Sequence, residues 1–207
     1  MAGKYESTSK KKKKWTWIVG ILIALILAVL LFLYFYHTDP GTPTLIVETP
    51  QKLSASQTEE FTLDVTVSAL GEARYPAMSM SVSFDSSRLE FLGVEEGNIF
   101  ILSDENSTGQ QLPDWSCNVQ NSNDTGRINI MYLDMTGGEN AFSKELLAED
   151  YNVVLRLKFR LRGSVRVGDV LDLIVEDAVF AASDEPQSLA MTTDTLNVKN
   201  GRLVIGE

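Results

Sequence analysis

The chain has 207 residues, with 18 Lys and Arg against 28 Asp and Glu and a formal net charge of −10 at pH 7. Six lysines against Glu6 give residues 1–14 a charge of +5, which leaves −15 for everything after them. So acidic a remainder disfavours nucleic acid and anionic lipid as its partners, and Cys117, the only cysteine, excludes an intramolecular disulfide.

The first element predicted is a membrane span over residues 15–36, preceded by a basic cytoplasmic tail over 1–14. About nineteen charge-free residues lie between Trp17 and His37, roughly 28 Å as a helix, which matches a hydrocarbon core. Trp15 and Trp17 mark one interface, and Tyr34 and Tyr36 the other. Lysines 10–14 precede the span, and Asp39 and Glu48 follow it without a Lys or Arg between. The positive-inside rule therefore places the N-terminus in the cytoplasm. The run Leu33-Tyr-Phe-Tyr36 is too bulky for a cleavage site, so the segment reads as an uncleaved signal anchor. The expectation is a single-pass cell-membrane protein held in the lipid bilayer through residues 15–36, with an extracellular domain. Residues 37–43, rich in Pro and Gly, form a linker that reaches at most roughly 24 Å.

Residues 44–207, roughly 165, suffice for one domain whose core needs no staples. Short runs of alternating apolar residues predict half-buried strands. They are Leu45 with Val47; Phe61 to Val67; Met78 to Phe84; Leu89, Phe91 and Val94; and Trp115, Cys117 and Val119. Ile128 to Tyr132 follows, with residues 123–126 as a hairpin turn before it. Val153 to Leu161, Val170 to Val175 with Val179, and Leu196 to Ile205 complete about nine strands. One helix is expected over Ala141 to Asp150, with Phe142, Leu146 and Leu147 at helical spacing and Ser143 as its cap. Such strands imply an antiparallel sandwich or barrel.

Several stretches in this order carry a family resemblance. Met80 to Gly97 reads as a strand, an Asp85-led turn and a second strand; Ile128 to Asp134, Val153 to Arg162, Glu176 to Ala182 and Val198 to Ile205 follow. Together they resemble cohesin domains, the modules through which cellulosomal scaffoldins hold dockerin-bearing enzymes. The resemblance covers about 44–207 and implies an all-β, nine-stranded jelly-roll β-sandwich without catalysis. It also implies a docking face on strands similar to the family's third, fifth, sixth and eighth. On the third, the outward Asn and Asp of well-known members fall at about Ala77 and Ser79, so that polar hot spot is missing. On the sixth, alternation turns Ile128, Ile130 and Tyr132 inward and Asn129, Met131 and Leu133 outward, where the family carries a contact leucine. Ser79, Ser81, Asn129, Met131 and Leu133 are thus the expected partner-binding residues. The predicted helix at 141–150 is similar to the insertion of type II cohesins.

Catalytic and metal chemistry have little to work with. His37 is the sole histidine and lies at the membrane exit, so neither a Ser-His-Asp triad nor a His-based metal site is predicted. The acidic pairs Glu59-Glu60, Glu95-Glu96 and Asp184-Glu185 read as solvated surface rather than a glycosidase pair. Asp134, Glu139, Asp184 and Glu185 fit no calcium loop. No cofactor is expected, and calcium would enter only through a partner. Sequons occur at Asn106-Ser-Thr108 and Asn123-Asp-Thr125. The resulting expectation is a membrane-anchored, non-catalytic cell-surface module that binds a protein partner, one bearing a dockerin. Its alternatives are a carbohydrate-binding surface module and the extracellular structural part of a membrane assembly. Trp115 is the only tryptophan beyond the span, and alternation would bury it, which disfavours stacking on a glycan.

Overall fold

The computed structural model describes residues 25–29, 42–50, 52–99, 115–138, 140–147, 150–183, 190–192 and 194–207. The chain divides between Pro40 and Gly41. The expected span over 15–36 and the tail before it lie outside the described residues, apart from residues 25–29, which are helical. Among the described residues no helix is long and apolar enough to cross a membrane. The Asn106 sequon, Glu139 and the Asp184-Glu185 pair also lie outside them.

Eleven strands are found among the described residues, where the sequence predicts nine. They are β1 (Thr44–Val47), β2 (Leu53–Ser54), β3 (Phe61–Val67), β4 (Ala77–Ser83), β5 (Leu89–Glu96), β6 (Ser116–Cys117), β7 (Arg127–Leu133), β8 (Val153–Leu161), β9 (Val170–Ala181), β10 (Asn197–Lys199) and β11 (Gly201–Gly206). The two additions are the short edge strand β2 and the splitting of the last predicted strand at Asn200. One sheet has the order β10-β1-β3-β8-β5 and the other β2-β11-β9-β4-β7-β6. Pairing is antiparallel except for β1 with β10 and β11 with β2.

Period-two patterning builds the core between the sheets. Leu63, Val65, Leu155, Leu157 and Phe159 from one sheet meet Met80, Val82, Ile128, Ile130 and Phe180 from the other, all buried. Each such side chain contributes roughly 1.5–3 kcal/mol relative to exposure. Two aromatic groups flank β4. Phe84, Phe91 and Phe159 lie 5.5–6.5 Å apart beyond its C-terminal end. Phe142 lies 5.2 Å from Tyr132 and 5.4 Å from Phe180, edge to face, near the other end.

Two local expectations are corrected. The predicted hairpin at 123–126 is instead the end of a helix, α1 (Val119–Thr125), which also takes Val119 out of β6. Asn118 caps α1 by accepting from the Asn121 amide, and Gly126 ends it in the left-handed conformation at φ 69°. Of the predicted helix over 141–150, the described residues form only a 3-10 turn at Lys144–Leu146, and Ser143 makes no side-chain cap bond. Phe142 is bridged to Tyr75 as an isolated strand pair, because burial in the aromatic group outweighs the helical spacing.

Candidate functional site

The outer faces of the two sheets differ in kind. On the five-stranded sheet, charges from β3 and Glu60 just before it, from β8 and from β5 form a ladder. Arg156 meets Asp64 at 2.9 Å, Lys158 meets Glu60 and Glu95 at 2.8 and 3.3 Å, and Arg160 meets Glu60 and Glu90 at 2.7 and 3.4 Å. The Lys158 ammonium holds the Glu60 carboxyl below its ordinary value, helped by Arg160, and Glu60 raises Lys158 in turn. These acids answer one another's cations across the sheet rather than facing each other across a cleft.

The six-stranded sheet presents a graded surface. Register aligns outward residues of β7, β4 and β9 into rows: Leu133 with Ala77 and Ala181, Met131 with Ser79 and Val179, then Asn129 with Ser81 and Asp177. Met131 and Leu133 are 57% and 55% exposed. Ser79 and Asn129 are exposed, while Ser81 is half-buried. All five residues expected from the sequence therefore share this face. Ser81 Oγ donates to Asn129 Oδ1 at 2.9 Å, and Arg127 Nε donates to the same oxygen at 3.3 Å. A guanidinium can only donate, so the amide oxygen is turned toward it and the Asn129 Nδ2 hydrogens point away.

The pattern continues past the strand to Met135, 83% exposed, a residue that sequence reasoning missed. The alternation of Met131 and Leu133 extended by two positions would have found it. Asp134 fixes the loop that carries it. Its amide donates to Pro76 O at 2.6 Å, and its carboxylate accepts from the Thr136 amide at 2.7 Å, from the Thr136 hydroxyl and from the Gly138 amide at 2.6 Å. Burial raises the Asp134 carboxyl, but these donors together take it below its ordinary value.

A shallow depression of about 610 Å³ lies between β4, β6 and β7, lined by Ser79, Ser81, Ser116, Cys117, Asn129 and Met131 among others. Burial pushes the Cys117 thiol up, so it is protonated at neutral pH. Trp115 is half-buried, against Tyr132 at 5.3 Å and Phe142 at 6.2 Å, as its alternation anticipated in part. No aromatic ring is among the large exposed apolar side chains of the described residues. No group of three or more His, Cys, Asp or Glu among them is placed to hold a metal ion.

Two sheets joined face to face, one outer surface closed by ion pairs and the other open and partly apolar, define an all-β jelly-roll-type sandwich module. The cohesin-domain family model matches residues 47–198, and the chain belongs to that family. Among solved structures it is similar to the OlpA cohesin of Clostridium thermocellum in complex with a dockerin, at 15% identity and a TM-score of 0.55, covering 80% of this chain and 99% of that one. It is similar to the third ScaC cohesin of Acetivibrio cellulolyticus in complex with the ScaB dockerin, at 12% identity and a TM-score of 0.53, with the same two coverages. A third is a type III cohesin module of the ScaE cell-surface anchoring scaffoldin of Ruminococcus flavefaciens, at 16% identity and a TM-score of 0.55, covering 83% and 91%. No curated protein matches the chain.

Proposed function

We propose that this chain is a non-catalytic recognition module that holds a dockerin-bearing protein on the outer face of its six-stranded sheet. The observation that carries this reading is the exposure of Met131 and Leu133, side by side on β7 and opposite the small residues Ser79 and Ala77. Adaptable apolar side chains above small neighbours accept the ridge of a helix. The opposite sheet offers a surface already satisfied by its own ion pairs. The OlpA and ScaC cohesins solved with dockerins add support by fold.

The proposal extends to place. An uncleaved apolar segment over residues 15–36 anchors the module in the cell membrane, with lysines 10–14 on the cytoplasmic side and the sandwich outside. The ScaE module belongs to a scaffoldin described as cell-surface anchoring, which accords with this placement.

The test uses the full chain in detergent micelles, immobilised and offered dockerin domains with and without calcium. Capture is expected with calcium, through the partner's own ion. Met131→Asp together with Leu133→Asp is expected to weaken it by about thirtyfold or more, the loss of one hot spot. Unchanged capture by the double variant sinks the assignment of this face; signal on glycan arrays with no dockerin captured sinks protein docking itself. Alkaline extraction of cell membranes tests the anchor: the chain is expected in the pellet, and release to the supernatant contradicts it.

A further inference from the structure

The step in register between β4 and β9 has a chemical outcome. Pairing passes from Ser81 with Asp177 to Val82 with Val175, which leaves Glu176 as an extra residue. In a regular strand neighbouring residues face opposite sides. Here both Glu176 and Asp177 are exposed, while Leu173 and Ala178 on either side of them are buried. The bulge thus turns two adjacent carboxylates onto the docking side. Their fates differ. Glu176 meets Arg127 at 2.7 Å, whereas the Asp177 carboxylate has neither an ion pair nor a hydrogen bond among the described residues.

Resting on the docking reading, we propose that Asp177 is a specificity-determining residue that receives a lysine or arginine from a helix of the partner. Glu176 neutralises Arg127, so the row of Asn129, Ser81 and Asp177 carries one uncompensated negative charge. Successive rows stand about 6.8 Å apart along the strands, close to the roughly 6 Å rise of four helical residues. A helix laid along the strands with apolar side chains over the Met131 and Leu133 rows therefore brings the residue one turn further on over the row that ends in Asp177, roughly 9.6 Å across the sheet from Asn129 and within the span of a long cationic side chain. A cation there finds a free acceptor. A carboxylate there meets Asp177 in a domain already strongly acidic, and is rejected by like charge.

The experiment pans a phage-displayed library of dockerin domains, randomised at exposed helix positions, on the immobilised full chain in calcium-containing buffer. Selected clones are expected to be enriched in Lys or Arg and to bind Asp177→Asn about fivefold or more weakly, with less dependence on salt. Selection on Asp177→Lys is expected to enrich Asp or Glu instead. Glu59→Gln, which removes the same charge near the other sheet, is expected to leave binding unchanged. Clones that bind wild type and Asp177→Asn equally overturn the proposal and leave the docking reading standing. A library that yields no binder overturns both.

Discussion

Asn123 and Phe91 exchange two hydrogen bonds: the Phe91 amide donates to Asn123 Oδ1 at 2.9 Å, and Asn123 Nδ2 donates to the Phe91 carbonyl at 2.8 Å. A side-chain amide from α1 thereby takes the place that a neighbouring strand would occupy beside β5, and a third bond to the Val119 carbonyl at 3.0 Å holds it there. Asn123→Ala removes all three while leaving the Phe91 groups half-enclosed. A loss of about 1–3 kcal/mol is expected, seen as a Tm lowered by roughly 2–12 °C. An unchanged melt would show that water replaces the amide at no cost.

Gly126 closes α1 at φ 69°. A Cβ there would stand 2.8 Å from the Phe84 carbonyl oxygen, and the Phe84 amide itself donates to the Gly126 carbonyl at 2.9 Å. Gly126→Ala is expected to cost at least about 1–2 kcal/mol from the left-handed backbone alone. Urea melts of wild type and variant measure it; equal midpoints contradict the argument.

Ile130 and Met131 are neighbours on β7 with opposite roles, 3% and 57% exposed. Ile130→Ala is expected to destabilise by about 2–5 kcal/mol through the cavity it leaves. Met131→Ala is expected to fall within about 0.5 kcal/mol of wild type. Comparable losses for both would mean that Met131 packs as core and is not a free contact residue.

Asp85 accepts from the Ser87 amide and hydroxyl and from Arg88 Nε at 2.6 Å, in the turn between β4 and β5. The Ser87 hydroxyl foremost, then Arg88, holds the Asp85 carboxyl below its ordinary 3.8. A carboxyl whose folded value is depressed stabilises the fold above the unfolded value, and the contribution is lost as pH falls through the folded value. Thermal melts from pH 7 to pH 2 are therefore expected to show Asp85→Asn less stable than wild type at neutral pH. The gap narrows once pH drops below about 4 and closes when the Asp85 carboxyl is protonated in the folded and the unfolded chain alike. A gap that stays constant to pH 2 contradicts this linkage.

The long strands were legible because their alternation is a direct record of which face is wet: β3, β4, β7 and β8 fall where period two places them, and Met131 and Leu133 emerge outward. α1 was not, because Val119–Thr125 has no apolar helical stripe. It is held by polar bonds, with Asn118 at its cap and Asn123 reaching β5. Nor was the bulge in β9, since register is a property of two strands and the slip at Glu176 appears only against β4. The helical spacing of Phe142, Leu146 and Leu147 misled for a related reason. Phe142 serves a pairing with Tyr75, and the described residues beyond it make a 3-10 turn at Lys144–Leu146.

Asn200 stands alone between β10 and β11, yet those strands lie in different sheets. β10 runs parallel to β1 and β11 parallel to β2, so the last strands of the domain join the first ones in both layers. β11 also separates β2 from β9, and without it β2 has no neighbour. Synthesis order thus becomes a constraint on maturation. Neither layer is complete until residues 197–206 have left the ribosome, and the domain closes as a unit after its own translation instead of strand by strand during it.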